Sequence, residues 1–319
     1  MDRLTLYLRM ARRYGKMFAG RSYQHRHQGL GKHFVPGRLS GYYNDLSGKI
    51  EWHGRVDQAG IPVIPAPGGK LDYHAIGVMQ KALGHWDVWF ASGMQSTYHW
   101  ETFSQIARWA LDFQDENGGW EIWPRFGKKG ALPYSAMAQG EAISVLVRAF
   151  SVIEDEAYME GARAALAPML TPIDEGGTSW RGSEGLILEE VPYKVPNTIL
   201  NGWIFALFGL YDLTLVDDSP DVREALEASL NALLAHLRTY DAGFWSFYDT
   251  SGTFASPFYH RLHIAQLKAL GLVYPQYEKH FGGLRKSFEE HLASPLRVTR
   301  AVALKSYQKL HHPPEELKR

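Results

Sequence analysis

The sequence has no cysteine, no excess of either charge and no long apolar run, and each absence narrows what it can be. Zero cysteines among 319 residues exclude disulfides, thiolate catalysis and cysteine-ligated metals, while leaving the redox compartment open. Lysine plus arginine equals aspartate plus glutamate at 34 each, so the charge balance gives no reason to expect nucleic acid as a partner. An acidic ligand would need a local basic cleft instead. No stretch reaches the apolar length that spans a membrane, and Arg3, Arg9, Arg12, Arg13 and Lys16 interrupt residues 1–18 where a secretion signal would be uniformly apolar. By these marks the chain reads as cytoplasmic and without an integral membrane span.

What is present is a 45% hydrophobic, 13% aromatic chain, enough for one large core. Leu4, Tyr7, Ala11, Tyr14 and Phe18 step by three and four, which predicts an amphipathic helix over 2–18. Its narrow, tyrosine-rich stripe suits docking on its own domain or on a second subunit better than lying on a membrane surface. Residues 21–38 carry His25, His27 and His33 among glycines without periodicity and read as an irregular connection. Residues 41–53 place β-formers on either side of Asn-Asp-Leu-Ser-Gly, a hairpin signal, and 61–64 adds a short strand limited by proline.

Beyond Tyr73 two kinds of helical pattern alternate. Residues 74–90, 134–150, 198–215 and 259–272 are apolar nearly all round; residues 99–115, 156–170, 221–238 and 275–292 are amphipathic and charged. A helix apolar on every face must be buried, and a one-faced helix covers it from outside, so four inner–outer pairs follow. Gly118-Gly-Trp120, Gly176-Gly-Thr-Ser-Trp180 and Gly243-Phe-Trp245 punctuate the ends of outer helices, with tryptophans 60 and 65 residues apart, which signals an internal repeat. The expected fold is mainly α. An N-terminal helix and small β segment over 1–70 precede an α/α toroid of helical hairpins over 71–319, with the cleft where the inner helices begin.

Residues 186–202, Leu-Ile-Leu-Glu-Glu-Val-Pro-Tyr-Lys-Val-Pro-Asn-Thr-Ile-Leu-Asn-Gly, place two carboxylates and a tyrosine just before a long apolar helix. Read with Pro133-Tyr-Ser-Ala-Met-Ala-Gln-Gly-Glu-Ala-Ile-Ser144, Phe247-Tyr-Asp249 and Phe258-Tyr-His260, the stretch resembles the C-terminal domain of the D-glucuronyl C5-epimerases, in the same order over roughly 73–270. The resemblance implies an incomplete toroid and an isomerase that inverts C5 of glucuronate in a heparosan-like or heparan sulfate polysaccharide, giving iduronate. Inversion removes a proton from the carbon next to a carboxylate and returns one from the other face. It needs two acid/base groups and something that neutralises the developing enolate-like charge, but no redox cofactor.

The resemblance implies Glu190 as one such group, because the second glutamate of the family's Glu-Glu-Tyr-Pro carries a catalytic role, with Glu189 as a salt-bridged, substrate-side partner. The plain alternative is that both cap the helix after Asn197 or face water. It implies Tyr259 for the opposite face, since Tyr259-His-Arg-Leu-His263 is similar to the family's Tyr-His-Thr-Thr-His, and Tyr248 as an assisting tyrosine. His260 and His263 then become substrate-binding candidates; they also have metal-ligand spacing, but no third ligand does, so neither metal nor cofactor is expected. Two departures from the family pattern stand out. The tyrosine of Glu-Glu-Tyr-Pro is Val191 here, with Tyr193 two residues later across Pro192, and the arginine three residues after Tyr248 is Ser251. Arg261, Arg181 and Lys194 are the cations near enough in sequence to replace it. Tyr134 and Gln139 lie in the shared Tyr-Ser-Ala-Met-Ala-Gln-Gly run, whose small residues permit close helix packing; Gln139 and Glu141 are left over as sugar contacts. Tyr42 or Tyr43, and Tyr73, resemble further cleft tyrosines.

In the family this resembles, animal members are Golgi enzymes with a membrane anchor, and members are often dimers, so the N-terminal helix is also a candidate homodimer contact. Two other functions remain open at this point: a polysaccharide lyase, which begins with the same proton abstraction, and a non-catalytic carbohydrate-binding protein.

Overall fold

The computed structural model describes Arg12, Ser22 and residues 25–311. The helix expected over 2–18 lies, apart from Arg12, outside the described residues. The rest is mainly α, as the alternation of apolar patterns requires. Helices α1 (Ala75–Ala91), α3 (Ala136–Ile153), α6 (Leu200–Thr214) and α8 (Pro257–Val273) are the buried ones. Helices α2 (Thr97–Asp112), α4 (Glu156–Ala164) with α5 (Leu166–Leu170), α7 (Pro220–His236) and α9 (Glu278–Ala293) cover them. In chain order α1 packs on α3, α3 on α6 and α6 on α8. A further helix, α10 (Pro295–His311), has no counterpart in the sequence reading.

The crossing of α3 on α6 rests on two glycines. A Cβ on Gly209 would lie 2.4 Å from the Gly140 Cα, and a Cβ on Gly140 would lie 2.6 Å from the Ala206 Cα. Only glycine lets the two backbones approach this far. Helix α3 is long and apolar enough by composition to cross a membrane, but it is the central core helix, with 78% of its apolar window buried. Three of the largest core aromatics satisfy their donor internally: Trp86, Trp203 and Trp245 are fully buried, and their indole N–H groups reach Ser40 O, Ser229 Oγ and Ala255 O at 2.8–2.9 Å.

The strand expected over 61–64 is present within a small antiparallel sheet, but the hairpin expected over 41–53 is not. Residues 41–53 form no hairpin. Tyr42 and Tyr43 are both buried, whereas adjacent residues of a strand point to opposite faces, and the Tyr42 N–H donates to Asp87 Oδ1 at 2.7 Å rather than to a partner strand. The antiparallel sheet is β1 (Arg55–Val56), β2 (Pro62–Pro65) and β3 (Leu71–Asp72). Its first turn is Asp57-Gln-Ala-Gly60, in which Asp57 Oδ1 accepts from Ala59 N and Ile61 N and Gly60 takes φ 75°. A second hairpin, β4 (Ser179–Gly182) with β5 (Gly185–Leu188), follows α5 and delivers the chain to Glu189 and Glu190.

Candidate active site

A cavity of about 740 Å³ opens at the N-terminal ends of the four buried helices. Helix α1 and the residue before it contribute His74, Ile76 and Gln80; α3 contributes Met137; α6 contributes Asn201 and Phe205; α8 contributes Phe258, Tyr259 and Leu262. The β2 strand and the residues after it, Pro62 to Pro67, form one wall, and Trp52 and Trp123 add aromatic surface. Glu190, Lys49 and Lys128 are the side chains of full formal charge among its described lining.

Glu190 is held there by its backbone. Glu189 N donates to Thr178 O, Ala136 N to Glu189 O and Leu132 N to Pro192 O, all within 3.0 Å, and the Trp123 indole donates to Glu190 O at 3.0 Å. The carboxylate packs against Gly202, where a Cβ would meet Glu190 Oε2 at 2.4 Å, and Asn201 Nδ2 reaches Oε2 at 3.4 Å. The glycine of Leu-Asn-Gly is therefore the seat of the glutamate. Burial pushes the Glu190 carboxyl up to about 7, with Glu189 adding to the rise and Lys128 and the Asn201 hydrogen bond opposing it. A carboxylic acid in that range exchanges protons readily near neutral pH.

Glu189 faces the other way. It is fully buried, and its Oε1 accepts from the Thr198 hydroxyl at 2.6 Å and the Trp180 indole at 3.1 Å. It ties β4 to the start of α6 and does not line the cavity. Val191 is buried, and Tyr193 packs half-buried against the core away from the cavity lining.

Tyr259 lines the cavity from the first turn of α8, which begins two residues earlier than the sequence pattern suggests. Ser256 caps it by accepting from Tyr259 N, and Pro257 occupies its first position, the usual start signal. Tyr248 stands behind Tyr259, with ring centroids 4.7 Å apart and the two side chains hydrogen-bonded. Its loop is laced to the start of α6: Leu200 N donates to Tyr248 O, and Thr250 N to Thr198 O. Burial, then the neighbouring Glu190 and Tyr259, hold the Tyr248 phenol well above its ordinary range. Glu190 is thus brought together with Tyr248 and Tyr259, which lie close to each other in sequence but far from it.

Other residues expected at the cleft are placed elsewhere. His260 stacks on Trp245 at 3.7 Å between ring centroids, and its Nε2 lies 3.0 Å from Phe288 O. His260 and His263 share the Ser246 hydroxyl through Nδ1 at 2.8 and 3.1 Å, and burial lowers both rings to about 3, so both stay neutral in the core. Gln139 donates to Gly118 O and Ala165 O and pins two loops. Tyr134 donates to Asp115, and Tyr73 donates to Asp57 while packing on Trp109 and Phe113. Arg261 is exposed and caps Pro257 O, and Arg181 and Lys194 are exposed as well.

Tyr43 illustrates the same displacement with a measurable consequence. It stacks on Phe208 at 3.9 Å and donates at 2.8 Å to Asp212, which also pairs with the buried Arg148. Tyr43→Phe is expected to destabilise the fold by about 1.5–3 kcal/mol, the worth of a hydrogen bond to a charged group, with turnover per folded molecule unchanged. Thermal melting alongside an activity assay checks this; an unshifted melting temperature with lost activity would return Tyr43 to the cleft.

The sequence reading missed Lys49 and Lys128. Lys49 is 2% exposed, and burial lowers its ammonium to about 7 against the pull of Glu141. Lys128 stands 4.5 Å over the Trp123 ring. Nothing in their local sequence marks either residue, since each reaches the cavity from an irregular segment. Glu141, by contrast, is fully buried beside Gln80, whose amide donates to it at 2.9 Å, and is not among the cavity's described lining.

The chain is similar to known proteins over part of its length. The family described as D-glucuronyl C5-epimerase C-terminus matches residues 114–289. A D-glucuronyl C5-epimerase of Caenorhabditis elegans is 32% identical over 195 residues, covering 53% of this chain and 32% of that protein. An uncharacterized protein of Methanocaldococcus jannaschii is 26% identical over 136 residues, covering 41% of this chain and 44% of its own length. The matched part is thus less than half of either relative. The family match takes in Lys128, Glu190, Tyr248 and Tyr259, leaves Lys49 and α10 outside, and spans more than half of the molecule; the chain belongs to the D-glucuronyl C5-epimerase C-terminus family.

Proposed function

We propose that the protein is a C5-epimerase acting on D-glucuronate within a heparosan-like polysaccharide, with Glu190 and Tyr259 as the two acid/base groups and Tyr248 supporting Tyr259. The observation that carries this reading is that Glu190 and Tyr259, remote in sequence, line one cavity together with Lys49 and Lys128. One group takes the C5 proton, the electron pair moves into the substrate carboxylate, and the other group delivers a proton to the opposite face. Each turnover leaves one group protonated and the other deprotonated, and exchange with water resets them. A lysine ammonium beside the carboxylate stabilises the charge as it develops, where it is worth most. Lys128 takes that part in this reading, in place of the exposed Arg261 and Arg181.

Incubation of N-acetylated heparosan with the protein in deuterated water, followed by NMR, tests the proposal. Deuterium at C5 and the appearance of iduronate in chains of unchanged length are expected. Shortened chains with an unsaturated, ultraviolet-absorbing end would assign a lyase; binding without exchange would assign a carbohydrate-binding protein.

Lys128→Met has a signed pH consequence. Lys128 holds the Glu190 carboxyl down, so removing it raises that group further and moves the acid limb of the exchange rate to higher pH. The loss is expected to be larger at pH 6 than at pH 9, with KM increased. A uniform loss across pH would mean that Lys128 does not act on Glu190.

A further inference from the structure

Helix α10 lies outside the family match, and one of its faces runs along the loop that carries Tyr248. Arg300 sits 3.9 Å over the Phe244 ring, and Ala301 is buried with Trp245 and Ala255. One turn on, the Lys305 ammonium stands 5.5 Å from the centroid of the Tyr248 ring. Another turn on, Gln308 accepts from Phe254 N and donates to Gly252 O, both at 2.9 Å, closing the loop from its far side. Four residues of a single helix face thus touch successive points of the 244–254 segment.

We propose that Lys305 is a positioning residue for the reaction: its cation on the Tyr248 ring, within the α10 clamp, sets the attitude of Tyr248 and through it the hydroxyl of Tyr259. The inference rests on the epimerase reading for its kinetic part only. Tyr248 has its ring, not its hydroxyl, toward Lys305, and Lys305 is not among the cavity lining, so its influence reaches the cavity through Tyr259. The groups facing the ammonium are the Tyr248 ring and Asp249 from the loop and Lys309 from its own helix, and beyond Tyr248 stands Tyr259 of α8. Asp249 favours the charged form; burial first, then Lys309, lowers the ammonium to about 7. A cation over a desolvated ring holds the ring in one orientation, and a neutral amine loses that attraction.

The test compares Lys305→Met, which keeps the stem and removes the charge, with Lys305→Arg, which keeps both. The substrate-free readout is NMR of ring-labelled tyrosine, with Tyr248 and Tyr259 identified by the loss of their signals in the Tyr→Phe variants. At pH 6 Lys305→Met is expected to move both sets of signals and Lys305→Arg to restore them. At pH 9, where Lys305 itself is neutral, wild type is expected to approach Lys305→Met while Lys305→Arg keeps the pH 6 pattern. The kinetic readout is a kcat lowered about ten- to a hundredfold with KM unchanged, the cost of a displaced reacting group, and rescue by Lys305→Arg. Should Lys305→Met not fold, Lys305→Gln serves in the same comparison. Tyrosine signals unmoved by loss of the charge overturn the proposal, whatever the protein does to a glycan. Absence of C5 exchange in wild type overturns the epimerase reading instead, and leaves the tyrosine signals to decide this one.

Discussion

Glu190→Gln is expected to lower C5 hydrogen exchange by at least about a hundredfold, the contribution of one positioned acid/base group, in a protein that stays folded. The amide keeps the size of the carboxyl, its seat on Gly202 and a partner for Asn201, and loses only the ability to take and return a proton. The pH dependence follows from the raised carboxyl. As a base Glu190 acts when ionised, so exchange begun by Glu190 should rise with pH through about 7 and level off above it.

Stability moves the other way. Between the ordinary glutamate value of 4.5 and about 7, the folded protein holds a proton that the unfolded chain has released, so the stability linked to this group is lost as pH rises through that window. Glu190→Gln removes this loss and should melt no lower than wild type above pH 7. A folded variant with near-normal exchange would remove Glu190 from the reaction. A variant that melts well below wild type would instead show that the carboxylate serves the structure.

Tyr259→Phe is the sharper experiment, because removing one hydroxyl leaves the ring contacts with Tyr248 and Phe258 in place while ending proton transfer on that side. With two groups serving opposite faces, each is base toward one epimer and acid toward the other. Net epimerisation should therefore be lost in both directions by a factor of about a hundred or more. Yet the epimer that Glu190 deprotonates should still exchange its C5 proton, with solvent deuterium returning to the same face. Retained epimerisation would refute the assignment and move attention to Tyr248, which stands within hydrogen-bonding reach. Equal loss of exchange from both epimers would mean that Glu190 and Tyr259 act as one coupled unit.

Much of the fold was legible because burial leaves a direct mark on sequence. The segments predicted at 74–90, 134–150, 198–215 and 259–272 are the buried helices within a few residues, since a helix surrounded by protein on all sides tolerates few charges on any face. The small residues of the Tyr-Ser-Ala-Met-Ala-Gln-Gly run were read as a packing signal, and Gly140 against Gly209 is that packing. The hairpin at 41–53 was misplaced because its β-forming tyrosines also suit a coil wedged between helices. The local signal for Asp57 to Gly60 was present but weak. Helix α10 went unread because it buries little: Ala301 is its buried residue, while Leu296, Tyr307 and Leu310 are exposed, so no broad apolar stripe marks it in the sequence.

The candidate site divides along a physical line. Glu190, Tyr248 and Tyr259 each sit in a short motif whose residue order could be read locally, and the structure brings the three together. Which cations accompany them was not readable, because Lys49, Lys128 and Lys305 enter from an irregular segment, a surface loop and the last described helix, and their approach to the site is a property of long-range packing. The same limit explains His260, Gln139 and Tyr43. A polar side chain on a buried helix looks alike in sequence whether it faces a cavity or a core hydrogen-bond partner. The sequence by itself determined which helices are buried, since hydrophobic period is a local property, while its acid/base candidates came from short motifs that resemble a known family; only the tertiary structure decided which polar groups face the cavity, since that depends on partners supplied from elsewhere in the chain.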